Sequence, residues 1–292
     1  MNYKLLTDGY RLLNGTTIPC VGFGTWQTPD GEVGYNSVLS ALKSGYRHID
    51  TATAYGNEES VGRAINDFIR SGGARRDEIF VTTKLANPDH GYEQARAAID
   101  RSLKAIGLDY VDLYLIHWPN PAKFRDHWKE ANAGSWKAME EAYAEGKLRA
   151  IGVSNFCERH YEALMESAKI LPMVNQIKVC PGIPQTELVA FSKKKGMVVE
   201  AYSPLGTGGI FSSELMISLS EKYKKSIAQI CVRWSLQNGL LPLPKSVTES
   251  RILENTDVFD FELSEEDVKA IADIDFAVLG IKAPRNPDET TF

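Results

Sequence analysis

A regular alternation of short apolar runs with amphipathic stretches constrains this chain more than any other feature. Apolar runs occur at 21–24, 48–50, 79–84, 111–117, 148–153, 173–176, 197–201 and 240–243. Between them lie helical patterns with charged faces at 33–44, 58–69, 92–106, 135–145, 158–168, 186–195 and 213–222. Strands that are apolar throughout are buried on both faces, and amphipathic helices between them imply a parallel sheet covered by helices. Eight strand candidates fit a closed (β/α)8 TIM barrel, while a doubly wound open sheet satisfies the same pattern. Further helical patterns follow at 227–237, 249–255 and 265–274. The segment 276–292 holds Pro284 and Pro287 without an apolar period and reads as a loop. At the other end, 10–13 and 16–18 flank Asn14-Gly15, so an N-terminal β-hairpin with a two-residue turn is expected, both turn residues tolerating positive φ. With no linker, repeat or low-complexity tract, residues 1–292 read as one domain.

Composition narrows the classes of partner. Of 292 residues, 43% are hydrophobic and 24% charged, enough apolar material for a large core. The formal charge of −5 and the lack of a basic block argue against nucleic acid or an anionic membrane surface. Cys20, Cys157, Cys180 and Cys231 are widely spaced with no Cys-x-x-Cys pair, as in a reduced cytoplasmic protein, and no metal is expected. Neither a signal peptide nor an apolar run of about 20 residues is visible.

Three successive apolar runs end on ionisable residues: 47–50 on Asp50, 79–84 on Lys84 and 113–117 on His117. These ends are 34 and then 33 residues apart, about one βα unit each, and Tyr55 follows Asp50 in the next loop. In a barrel the strand C-termini share one rim. Alone, each such residue is a cap or a surface charge; together they suit carbonyl reduction, which needs a hydride on carbon and a proton on oxygen. A phenol can give that proton, a neighbouring ammonium lowers its pKa of about 10, and a carboxylate holds the ammonium. Tyr55, Lys84 and Asp50 supply those groups, and His117 can donate to the carbonyl oxygen.

Longer stretches carry a specific resemblance. Gly45-Tyr46-Arg47-His48-Ile49-Asp50-Thr51-Ala52, with Tyr55-Gly56-Asn57-Glu58 following, resembles the first signature of the aldo-keto reductase superfamily. Residues 103–119, including Leu115-Ile116-His117-Trp118-Pro119, are similar to its second, and Lys245-Ser246-Val247 with Arg251 to its third. The match runs from about Ile18 to Asp275, and the chain is similar to bacterial members that reduce diketogluconate or methylglyoxal. It implies a (β/α)8 barrel with a C-terminal loop over the active site, Asp50, Tyr55, Lys84 and His117 as catalytic tetrad, and NADPH as cofactor.

The resemblance also distributes the cofactor. Neither a complete G-x-G-x-x-G nor a Walker sequence is present. Ser154, Asn155 and Gln176 match carboxamide-binding positions, and Tyr202 the ring that stacks on nicotinamide. Ser203 and Leu205 open a loop whose Gly206, Gly208 and Gly209 would let backbone approach a pyrophosphate. Lys245, Ser246, Val247 and Arg251 match the 2′-phosphate site, for which two cations and a hydroxyl are apt, and Glu254 and Asn255 the adenine site. Trp26 and Trp118 match substrate-cleft aromatics, with Phe124 and Trp128 as further walls. The chain departs from the pattern at Ala86, where many relatives have tryptophan, and at Lys178 and Cys180, where they have an acid and a histidine. The expected function is an NADPH-dependent reductase of aldehydes, ketones or keto-sugars, monomeric by analogy. The alternatives are an NADPH-binding structural or regulatory protein on the same scaffold and, with least support, a lyase using Lys84 as a Schiff base.

Overall fold

In the computed structural model, which describes residues 3–292, eight parallel strands run in sequence order around one sheet. They are β3 (Phe23–Gly24), β4 (His48–Asp50), β5 (Phe80–Leu85), β6 (Leu113–Ile116), β7 (Ile151–Ser154), β8 (Val174–Lys178), β9 (Val198–Tyr202) and β10 (Leu241–Leu243). Two backbone bonds close the sheet: Gly22 N–H donates to the Pro242 carbonyl and Gly24 N–H to that of Pro244, each at 3.0 Å. That closure decides between the two architectures left open by the pattern. The protein is a (β/α)8 barrel.

The surrounding helices are α1 (Glu32–Lys43), α2 (Glu58–Arg70), α3 (Tyr92–Ile106), α4 (Trp128–Ala144), α5 (Glu158–Met165), α6 (Thr186–Lys194), α7 (Glu214–Tyr223), α8 (Ile227–Gln237), α9 (Glu249–Glu254) and α10 (Glu265–Ala272). Local signals set several of their ends. Ser226 and Gln229 form a reciprocal capping box at the start of α8, and left-handed Gly107 ends α3 with its N–H on the Leu103 carbonyl. Helix α4 begins seven residues before the expected 135, because Trp128–Gly134 has no apolar period to announce a helix. No helix among the described residues is long and apolar enough to cross a membrane.

The N-terminal hairpin is a separate sheet, β1 (Gly9–Arg11) against β2 (Thr17–Pro19). Its turn differs from expectation. Gly15 N–H donates to the Leu12 carbonyl and Leu12 N–H to that of Thr16, with only Gly15 at positive φ, 85°. This is a three-residue loop with a glycine bulge. Asn14 keeps ordinary φ and uses its side chain on the Arg149 carbonyl and the Thr16 N–H. The hairpin covers the N-terminal end of the barrel, where the Tyr10 hydroxyl donates to the Leu240 carbonyl just before β10. The opposite rim is left to the strand C-termini.

Candidate active site

That rim brings the four strand-end residues together. Asp50 ends β4, Lys84 lies near the end of β5, and Tyr55 closes a 3-10 turn (Thr53–Tyr55) after β4. The buried ammonium of Lys84 donates to Asp50 Oδ1 and Oδ2 at 2.8 Å each, to the Thr51 carbonyl at 2.8 Å and to the Tyr55 hydroxyl at 3.3 Å. His117, just past β6, meets the Tyr55 ring edge-on with centroids 5.7 Å apart. Asn57 holds the turn in place: its side chain accepts from the Thr51 hydroxyl and donates to the carbonyls of Thr25 and Thr28.

Burial governs the protonation of these groups. It would depress Lys84, but Asp50 and then Tyr55 more than offset it, and the net shift is upward. His117 is pushed down to about 3 by burial and then by the Lys84 charge, so its ring is neutral near pH 7. Tyr55 departs from expectation: burial raises its pKa more than Lys84 lowers it. The phenol therefore keeps its proton through neutral pH.

A second polar layer continues the rim. Ser154, Gln176 and Glu200 are register partners on β7, β8 and β9. Gln176 Nε2 donates to Asp50 Oδ2 at 2.8 Å and to Glu200 Oε2 at 2.7 Å, which turns its Oε1 away from both carboxyls. The Ser154 hydroxyl donates to the Gln176 carbonyl, Asn155 Nδ2 to the His117 carbonyl, and the Tyr202 hydroxyl to Asn155 Oδ1 at 2.9 Å. Asn155 and Ser203, each directly after a strand, have left-handed φ of 61° and 52°. Such strain in non-glycine residues gathers where side chains must be aimed. Sequence reasoning gave Glu200 no role, although a lone acid inside the apolar run 197–201 was a readable signal.

Across the mouth, beyond β10, the charges are at least partly exposed. Lys245 has a single 3.3 Å bond to the Gln27 carbonyl, and the Ser246 hydroxyl serves the backbone of Thr248. Arg251 and Glu254 on α9 are solvent-facing, as is Val247, and neither Lys245 nor Arg251 has an acidic partner among the described residues. Asn255 is buried, and its Oδ1 has no hydrogen-bond partner.

Comparison with known proteins places this geometry. The Aldo/keto reductase family profile matches residues 20–275. The glyoxal reductase of Bacillus subtilis (strain 168) is 44% identical over 98% of this chain and 99% of its own. The chain belongs to the aldo/keto reductase family. It is therefore an oxidoreductase acting on carbonyl groups. Among solved structures, an aldo-keto reductase from a Medee basin deep-sea metagenome superposes with TM-score 0.87 at 43% identity, covering 97% of this chain and 99% of that one. A Bombyx mori aldo-keto reductase in complex with NADP gives TM-score 0.81 at 40% identity, covering 90% and 91%.

On this aldo/keto reductase scaffold the segment 276–292 crosses the mouth without regular structure. Ile281 is buried against the glycine loop: a Cβ on Gly206 would lie 2.7 Å from Ile281 Cδ1, and one on Gly209 2.6 Å from the Leu279 carbonyl oxygen. Only Gly208 of the three faces open space, so two of the glycines expected beside a pyrophosphate make room for this segment. The departure at Lys178 has a structural consequence too. Its ammonium donates to the Lys282 carbonyl at 2.5 Å, fastening the segment to the end of β8. Cys180 lies buried nearby, its thiol pushed up to about 11 by burial.

Farther along, the Phe292 ring meets Trp118 edge-on at 5.6 Å, and Asn87, next to Ala86, donates to the Phe292 carbonyl. Trp118 is thereby covered, whereas Trp26 on the opposite lip is 46% exposed. Phe124 stacks on His90 and Trp128 meets His160 edge-on.

Proposed function

We propose that this protein is an NADPH-dependent reductase of small aldehydes and ketones, with Tyr55 as the proton donor. The observation that carries the reading is the Lys84 ammonium, gripped by both oxygens of Asp50 and 3.3 Å from the Tyr55 hydroxyl at the strand C-terminal rim. Substrates related to glyoxal are suggested by the Bacillus relative.

The residues fit a dinucleotide. The orphaned Oδ1 of Asn255 suits the adenine amino group, and Lys245, Ser246 and Arg251 suit a 2′-phosphate, with Val247 and Glu254 beside them. Tyr202 presents a half-buried ring for the nicotinamide, flanked by Ser203 and Leu205. Ser154, Asn155 and Gln176 surround the place for its carboxamide. When bound, such a cofactor supplies the hydride.

The chain's own residues do the rest. Neutral His117 and protonated Tyr55 donate to the substrate carbonyl oxygen, orienting it and stabilising the charge that develops there. Tyr55 then releases its proton to that oxygen, and the Lys84 ammonium stabilises the phenolate left behind. Asp50 keeps Lys84 charged and in register. Trp26 and Trp118 wall the substrate, and Phe292 excludes water on the Trp118 side. In this reading residues 1–292 act as one cytoplasmic monomer.

The test is NADPH oxidation with glyoxal, methylglyoxal and glyceraldehyde, and with Tyr55→Phe. That variant should lose about 10²–10⁴-fold in kcat while binding NADPH normally. Wild-type kcat in Tyr55→Phe removes it as donor, and no turnover on any carbonyl removes the proposed substrate class.

A further inference from the structure

We infer that Glu200 is a positioning residue that helps Tyr55 keep its proton, acting through Gln176 and the Asp50–Lys84 pair. The inference rests on Tyr55 being the proton donor. Glu200 is inside the barrel and exposes no surface. One amide nitrogen, Gln176 Nε2, serves both Glu200 Oε2 at 2.7 Å and Asp50 Oδ2 at 2.8 Å. Two carboxylates sharing one donor repel unless each is neutralised, by a proton or by its own cation. Asp50 has Lys84 on both oxygens. Glu200 has no such partner.

Glu200 Oε1 makes no hydrogen bond, and His48 Nε2 stands 3.6 Å from it, already engaged with the Thr82 hydroxyl at 3.0 Å. The titratable groups around Glu200 are His48 and Asp50 from β4, Lys84 from β5 and Tyr55 from the turn after β4. β8 supplies the neutral Gln176, and β10 only Leu241, Pro242 and Leu243. His48 is pushed down to about 3 by burial and then by Lys84, so it offers no positive charge near neutrality. Burial, and then the Asp50 charge, raise Glu200 to about 8.

Near pH 7, then, Glu200 is mostly protonated and Asp50 alone balances Lys84. As pH climbs past Glu200's own titration, a negative charge appears inside the barrel. It strengthens the Lys84 ammonium and raises the cost of a second anion at Tyr55. Lys84 on its own favours phenolate, so this internal acid opposes proton loss in the alkaline range where it would otherwise occur. The same carboxyl fixes the Gln176 amide, leaving Oε1 free only to accept.

Glu200→Gln keeps an acceptor for Gln176 and removes the titration. A residue that merely anchors Gln176 would leave pH dependence unmoved by this change. Profiles of kcat should be recorded in both directions, with Tyr55→Phe as reference. In Glu200→Gln the alkaline fall of reduction and the alkaline rise of oxidation should both move about one unit toward lower pH. The KM for NADPH should stay within about twofold, since no hydrogen bond is lost. Unmoved limbs together with an inactive Tyr55→Phe overturn the role of Glu200 alone, whereas an active Tyr55→Phe overturns the donor assignment beneath it. Should Glu200→Gln fail to fold, infrared difference spectra of the wild-type protein decide instead. A buried carboxylic-acid C=O band should disappear between about pH 7 and 9; its absence throughout overturns the inference.

Discussion

The two sides of the barrel mouth hold charge in opposite ways. On the β4–β5 side, Asp50 and Lys84 are buried and saturated with partners, fixed by strand register to within hydrogen-bond tolerance. On the β10 side, Lys245 and Arg251 stand on a loop and a short helix, the first partly exposed and the second exposed, without acidic partners among the described residues. A proton donor must be preorganised in a low-dielectric setting before substrate arrives. The phosphate clamp proposed for Lys245 and Arg251 must instead leave its cations accessible until a partner comes. Substitution should therefore damage stability and chemistry together on the first side, and affinity alone on the second.

Lys84→Met presses hardest on that contrast. It strands Asp50 in the interior, and breaking a buried pair in this way costs about 3–5 kcal/mol. Urea unfolding should show that loss, and kcat should fall at least about a hundredfold. A variant of wild-type stability would mean that the pair is not buried as described.

Acid should reveal the same burial. His48, His90 and His117 are pushed down by burial first, to about 3, 4 and 3. The unfolded chain binds these protons near pH 6.5 and the folded chain does not, so stability is lost as pH falls from about 6.5 toward 4. Each fully titrating histidine contributes a slope of up to roughly 1.4 kcal/mol per pH unit. His90→Gln should remove about one proton's worth of slope from urea unfolding between about pH 5 and 6.5, leaving the tetrad untouched. An unchanged slope would show that His90 titrates alike in both states.

This division also explains what the sequence could disclose. The strand-end positions of Asp50, Lys84 and His117 were legible because apolar runs mark strands and the barrel repeats its βα unit. Closure was legible only through the family resemblance and not in the alternation itself, since two bonds from Gly22 and Gly24 leave no pattern. Glu200 was visible as an acid in an apolar run, but register was needed to set it beside Gln176. The direction of Tyr55's shift was missed because pairing reads from residue types while desolvation depends on three-dimensional burial. The resemblance implied that 276–292 lies over the mouth, but its individual contacts, and with them the reason for Gly206 and Gly209, were hidden, because a segment without period acts through single contacts.

On the exposed side, Arg251→Ala should remove the charge-assisted contact proposed for the 2′-phosphate, worth about 1.5–3 kcal/mol. NADPH affinity should fall roughly tenfold to a hundredfold, by fluorescence titration, with NADH affinity and unfolding midpoint unchanged. Equal effects on both cofactors would reassign Arg251 to something other than the 2′-phosphate.

Lys178 belongs to neither side, and so sharpens the comparison most finely. Its side chain is largely buried, yet its ammonium bonds a backbone carbonyl and no carboxylate, and burial lowers its pKa. A fastening of this kind should matter to the segment rather than to the tetrad. Lys178→Met retains the apolar stem and deletes one hydrogen bond to Lys282, worth about 1.5–3 kcal/mol to a charged donor and less here because a desolvated ammonium is removed with it. The expected result is faster amide exchange across 279–285, a few-fold higher KM for the carbonyl substrate, and kcat within about twofold. A large fall in kcat at unchanged KM would instead place Lys178 with Asp50 and Lys84, among the charges that act on the proton.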